Sequence, residues 1–168
     1  MNPMREIRIE KVTLNIGCGE AGEKLERARK LLEKLTGRKA VITRTHKRTT
    51  FGTARNRPIG CKVTLRGEEA EAFLRKALDA VEHIRASSFD RLGNFSFGIK
   101  EYIDIPGVKY DHDIGMFGMD VCVTLERRGY RVKRKKIAKK VGKNHLIKPE
   151  EAMEFVEKTF GVRVERDE

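Results

Sequence analysis

Gly17-Cys18-Gly19-Glu20-Ala21-Gly22 spells G-x-G-x-x-G between a strand-like stretch and a helix-like one. Glycines in that place would let the backbone approach a pyrophosphate at a helix N-terminus. The surrounding residues oppose such a site. The preceding stretch alternates, whereas the strand of a dinucleotide-binding unit is continuously apolar. The next strand, near Val41 to Thr45, ends without the acid that holds a ribose, leaving only Arg44 to meet a 2′-phosphate. Glu20 and Glu23 place negative charge where the phosphate would lie, and Glu23 stands at the lysine position of the P-loop interval from Gly17 to Gly22. A glycine turn joining strand to helix is the plainer reading. An NADP-dependent or nucleotide-binding enzyme is the alternative.

Other catalytic patterns are missing. His46, His83, His112 and His145 are dispersed and share no ligand-like spacing with Cys18, Cys61 or Cys122, so no metal and no cofactor are expected. The three cysteines are odd in number, far apart and form no C-x-x-C pair, which points to reduced thiols in a cytosolic compartment. All three fall in strand patterns, two on the apolar side, as small buried hydrophobes. Asp111-His112-Asp113 lies between Pro106-Gly107 and Gly115, where solvated turn residues are expected. No nucleophile and base can be paired, and the chain reads as a non-enzyme.

Charge is the stronger signal. The chain is +12 overall, yet Arg38 to Arg66 contains nine Lys and Arg and no acid, and Arg127 to Lys148 contains eleven and no acid. The remaining 17 basic residues face 25 acids, a net −8. A surface that only needs solubility interleaves the two signs; segregated positive charge is the footprint of a nucleic-acid binder. A non-specific chromatin or RNA coat would also use such a tract. Membrane partners are not expected: MNPMREIRIEK has no continuous apolar run, no segment is long enough to span a bilayer, and the basic tract is broken by Gly129 and Gly142.

The elements that must position these charges follow from periodicity. At 168 residues and 39% apolar content, a single domain with one core is expected, carrying a basic tract at 127–148 and a C-terminal helix at about 149–161. Val12, Leu14, Ile16 and Cys18 alternate with Lys11, Thr13, Asn15 and Gly17, and Ile59, Cys61, Val63 and Leu65 alternate with Gly60, Lys62, Thr64 and Arg66. Phe95, Phe97, Ile99, Ile103 and Ile105 predict a third strand ending at Pro106-Gly107; Val121, Val123 and Leu125 predict a fourth, and Ala40 to Thr45 a weaker fifth. Ala21, Leu25, Ala28, Leu32 and Leu35 predict a helix capped by Gly37, and Phe73, Ala77, Ala80 or Val81, and Ile84 a second from about Glu68 to Ala86. Pro149 opens a third that buries Ala152, Val156 and Phe160 and stops at Gly161, with Lys148 a poor N-cap. The fold class is α+β: a mainly antiparallel sheet of four to five strands, helices packed on one face, the other face open for RNA.

Between the two strands of the first basic stretch, Lys47-Arg48-Thr49-Thr50-Phe51-Gly52-Thr53-Ala54-Arg55-Asn56-Arg57-Pro58 is long for a hairpin connection. Its arginines, hydroxyls and one aromatic suit phosphate contact and stacking on folded RNA.

Four blocks resemble, in family order, the signatures of the universal L-five family of large-subunit ribosomal proteins. They are Leu14-Asn15-Ile16-Gly17-Cys18-Gly19-Glu20-Ala21, Pro58-Ile59-Gly60-Cys61-Lys62-Val63-Thr64-Leu65-Arg66-Gly67, Phe95-Ser96-Phe97-Gly98-Ile99-Lys100-Glu101 and Gly118-Met119-Asp120-Val121. The tail from Arg127-Arg128-Gly129-Tyr130-Arg131-Val132 through Gly142-Lys143-Asn144-His145 to Phe160-Gly161-Val162 resembles the archaeal branch and its eukaryotic relatives. The resemblance implies a cytoplasmic, non-enzymatic protein of the central protuberance. Its partners would be 5S and 23S-type ribosomal RNA, the P-site transfer RNA, neighbouring ribosomal proteins and a small-subunit protein across an intersubunit bridge. Carried onto this sequence, it implies 5S contacts from Lys11, Thr13, Asn15, Thr43, Arg44, Thr45, Lys62, Thr64 and Arg66. A tRNA-contacting loop would use Arg48, Thr49, Phe51, Arg55, Asn56 and Arg57, although Thr53-Ala54 stand where many members carry isoleucine and arginine after the glycine. Further phosphate contacts would come from Arg127, Arg128, Arg131, Lys133, Arg134, Lys135, Lys136, Lys139 and Lys140.

Overall fold

A computed structural model describes residues 2–166. In chain order the elements are β1 (Ile7–Gly17), α1 (Glu23–Thr36), β2 (Val41–Arg44), β3 (Pro58–Leu65), α2 (Glu68–Asp79), β4 (His83–Arg85), β5 (Phe95–Ile99), β6 (Met119–Arg127), α3 (Pro149–Phe160) and β7 (Arg163–Glu165). Five strands form an antiparallel sheet in the order β2-β3-β1-β6-β5.

The alternation of each strand sends its apolar set to one side. Val12, Leu14 and Ile16 bury there with Cys61, Val63, Leu65, Val121, Val123 and Leu125. Leu25, Ala28, Leu31 and Leu32 of α1 close over β3, and Ala70, Phe73, Leu74, Ala77 and Leu78 of α2 close over β1. Each fully buried Val or Leu contributes about 1.5–3 kcal/mol relative to exposure, and this one-sided burial fixes the register of every strand. Gly60 is required where β3 sits between β1 and β2. A Cβ there would stand 2.8 Å from the Ile16 carbonyl and 2.9 Å from Thr43 Oγ1.

Several expectations are corrected. The third strand ends at Ile99, and the chain enters a 3₁₀ turn over Tyr102–Asp104. Tyr102, buried, fills the core there, and its hydroxyl accepts from the Asp111 amide at 3.1 Å. Helix α2 ends at Asp79, because Ile84 belongs to β4 and pairs in parallel with Val164 of β7. That partner lies at the far end of the chain, and neither short strand shows in the local residue pattern. Ala21 is exposed and precedes α1; Leu31 takes its place on the buried stripe. Helix α3 begins at Pro149 with Lys148 at its N-cap, as expected. The defect in that cap is repaired three residues on, where Glu151 Oε2 accepts the Lys148 amide at 3.1 Å.

Candidate nucleic-acid interface

Among the described residues the second face of the sheet carries no α-helix, and its residues line up across the strands. One row runs Val41, Lys62, Asn15, Asp120, Gly98 through all five strands; the next runs Thr64, Thr13, Cys122, Ser96. Lys62 and Thr64 are exposed, Lys11, Thr13, Asn15 and Thr43 half-buried, and Arg44 and Arg66 exposed at the margins. The sequence-predicted 5S residues are thus gathered on one surface of hydroxyls, amides and cations, which suits phosphates and 2′-hydroxyls. Thr45 is the exception. It is 7% exposed and its hydroxyl donates to the Ala54 carbonyl at 2.8 Å, so it shapes the neighbouring loop instead of facing a ligand.

That loop is ordered. The Thr45 amide donates to Arg57 O and the Asn56 amide to Thr45 O, each at 3.0 Å, which extends the β2–β3 ladder beyond the strands. The Thr49 amide donates to Thr53 O at 3.0 Å and closes the tip. Phe51 stands at that tip 94% exposed, with Arg48, Arg55, Asn56 and Arg57 exposed around it. Burying so little of an aromatic ring has no folding benefit, and its position suits stacking on a base.

The basic tract folds over one end of the open face. A bulge between Ile9 and Lys11 turns Glu10 toward that end, where Glu126 lies on the next strand. Their side chains are only 9% and 7% exposed, and arginines enclose them. Arg8 Nη2 reaches Glu126 at 2.7 Å, Arg134 from the tract contacts Glu126 and lies 3.2 Å from Glu10, and Arg66 lies 3.9 Å from Glu10. Lys133 sits 4.9 Å above the Tyr130 ring, a cation–π contact. Arg128, Arg131, Lys135, Lys136, Lys139 and Lys140 point to solvent.

Arg127 is corrected as a phosphate contact. Alternation turns it to the helix side, where it is 3% exposed. Its guanidinium donates to Glu151 at 2.8 Å and to the His145 and Leu146 carbonyls at 3.4 Å, which fixes α3 to the sheet.

Residues 2–50 match the family described as Ribosomal protein L5, and residues 58–155 match the C-terminal region of the same ribosomal family. A large ribosomal subunit protein uL5 of Sulfurisphaera tokodaii is 55% identical, over 98% of this chain and 95% of its own length. The uL5 proteins of Methanococcus vannielii and Methanosphaera stadtmanae are each 49% identical, over 96% and 98% of this chain and 93% and 100% of their own lengths. The chain belongs to the ribosomal L5 family.

Members of the L5 family are ribosomal proteins and not enzymes, and the glycine motif here joins a strand to a helix. The Cys18 and Gly19 amides both donate to the Ile59 carbonyl, at 2.8 and 2.9 Å, so they are spent on joining β1 to β3 and are not free for a phosphate. Glu23 and Glu26 occupy the first turn of α1 that follows. Among the described residues no group of three His, Cys, Asp or Glu could hold a metal, and no helix is long and apolar enough to cross a membrane. Sequence reasoning passed over Glu10, Glu126 and Asp120. Each stands at a polar position of a strand on the open face, and an acid on a surface read as cationic is the signal that would have found them.

Proposed function

We propose that this L5-family chain is a cytoplasmic structural component of the large ribosomal subunit that binds 5S ribosomal RNA through its open sheet face. The names of its relatives support the large subunit. The observation that carries the RNA reading is the sheet face, free of α-helix among the described residues, on which Lys11, Thr13, Asn15, Thr43, Lys62 and Thr64 converge, flanked by Arg44 and Arg66. Recognition on such a face is mostly by shape, because strand side chains meet sugars and phosphates more readily than base edges. The ordered loop around Phe51 reaches the P-site transfer RNA, and the tract from Arg128 to Lys140 neutralises further ribosomal RNA phosphates, including 23S-type RNA. Neighbouring central-protuberance proteins and a small-subunit protein across an intersubunit bridge complete the partners.

Binding to 5S ribosomal RNA and to a size-matched structured RNA across a salt series tests the reading. A preference for 5S that persists at high salt supports it. Equal affinities that collapse together leave only a polycation.

A further inference from the structure

Three carboxylates occupy strand positions on the open face, and the fold treats them differently. Glu10 and Glu126 are enclosed by Arg8, Arg66 and Arg134. Asp120 is exposed and, among the described residues, its side chain enters no ion pair and no hydrogen bond. It lies opposite Asn15 on one side and Gly98 on the other. Around it the surface recedes: Asn15, Gly17, Gly98, Lys100, Gly118 and Asp120 line a trough of about 530 Å³. Asp120 Oδ1 lies over Gly98, 3.6 Å from where a Cβ would stand, and a Cβ on Gly118 would be 2.8 Å from the Lys100 carbonyl.

A free carboxylate repels phosphate, so its place on an RNA face calls for a donor. RNA offers base N–H groups and 2′-hydroxyls. The guanine Watson–Crick edge presents two parallel donors, N1–H and N2–H, that match both oxygens of a carboxylate, in the manner of an arginine fork. Adenine, cytosine and uracil each lack that adjacent pair. Asn15 adds an amide with both donor and acceptor, and the glycines leave room for a ring lifted from its stack. We propose that Asp120, with Asn15, receives the Watson–Crick edge of one unpaired guanine of the bound RNA.

This proposal rests on the RNA-binding reading, and footprinting with kethoxal, which reacts at guanine N1 and N2, separates the two. Wild-type protein should protect an unpaired guanine of 5S ribosomal RNA. Asp120→Asn should leave that guanine reactive, keep the other protections, and bind about tenfold more weakly despite losing a negative charge. Inosine at that position, which lacks the N2 amine, should weaken the wild type comparably and leave Asp120→Asn unchanged. Tighter binding by Asp120→Asn, or an unaltered protection pattern, would overturn the proposal, as would sensitivity to 2′-deoxy but not inosine substitution. Wild-type protein with no preference for 5S over a size-matched RNA would remove the underlying reading itself.

Discussion

Arg134 and Glu10 meet at 3.2 Å, one from the basic tract and the other from the bulge in β1. With Glu126 contacting the same guanidinium, two carboxylates seat the tract on the end of the open face. The Glu10→Gln, Glu126→Gln double variant removes two negative charges from the proposed RNA surface, which by charge alone would tighten binding. The seat predicts the reverse. Trypsin should cut faster within 131–140, and RNA affinity should fall because the cations must be ordered on binding. Tryptic mapping of free protein and filter binding check both.

Glu151 has a second consequence, in acid. Burial acts to raise its pKa, but hydrogen bonds from the Lys148 amide and the Arg127 guanidinium outweigh that and hold it below its ordinary 4.5. A carboxylate depressed by folding adds stability that is full above its unfolded pKa and is lost as the pH falls through the folded one. The difference in stability between wild type and Glu151→Gln should therefore be largest at neutral pH and close below 4.5. Arg127→Met should cost about 2 kcal/mol, less than a fully buried pair, because the stranded carboxylate keeps some contact with water. Urea unfolding from pH 7 to pH 3 measures both.

Local pattern carried most of this fold, since Val12, Leu14 and Ile16 against Thr13 and Asn15 already separate a core side from an open side. What stayed hidden depended on distant partners. Ile84 fits a helical spacing and is pulled into β4 only by Val164, and Arg127 looks like any tract cation until Glu151 is brought against it. Thr45 failed for a local reason, its hydroxyl being taken by Ala54. The acids of the open face were overlooked because net charge averages over the very positions where sign matters.

The thiols report on the faces directly. Cys18 and Cys61 are buried, and burial pushes the Cys61 pKa up to about 11. Cys122 is exposed on the open face; burial of part of its surface and the nearby Asp120 raise its pKa, so it should react slowly but first. Ellman titration of native protein should give one accessible thiol, and unfolding should give three. Saturating 5S RNA should slow the native reaction, since Cys122 lies between Thr13 and Ser96.

The exposed cations of the tract should act through counterion release. Replacing Lys135, Lys136, Lys139 and Lys140 with glutamine should leave the melting temperature nearly unchanged, because all four are exposed. The slope of log affinity against log salt should flatten by about 0.7–0.9 for each lysine that contacts a phosphate. An unchanged slope would place the tract away from RNA.

Thr64 and Val63 are adjacent in β3 and point to opposite sides, so paired substitutions separate folding from binding. Thr64 is exposed and opposes Thr13, while Val63 is 2% exposed beneath the helices. Thr64→Leu should change stability by no more than about 0.5 kcal/mol yet reduce discrimination for 5S RNA, since a branched alkyl group would replace a hydroxyl on the face proposed to meet RNA. Val63→Thr buries a hydroxyl with nearly the same shape and should cost about 1–3 kcal/mol while leaving the affinity of the folded fraction intact. Chemical denaturation and RNA titration on the two variants check the assignment, and the opposite pattern would mean that the faces of β3 are reversed.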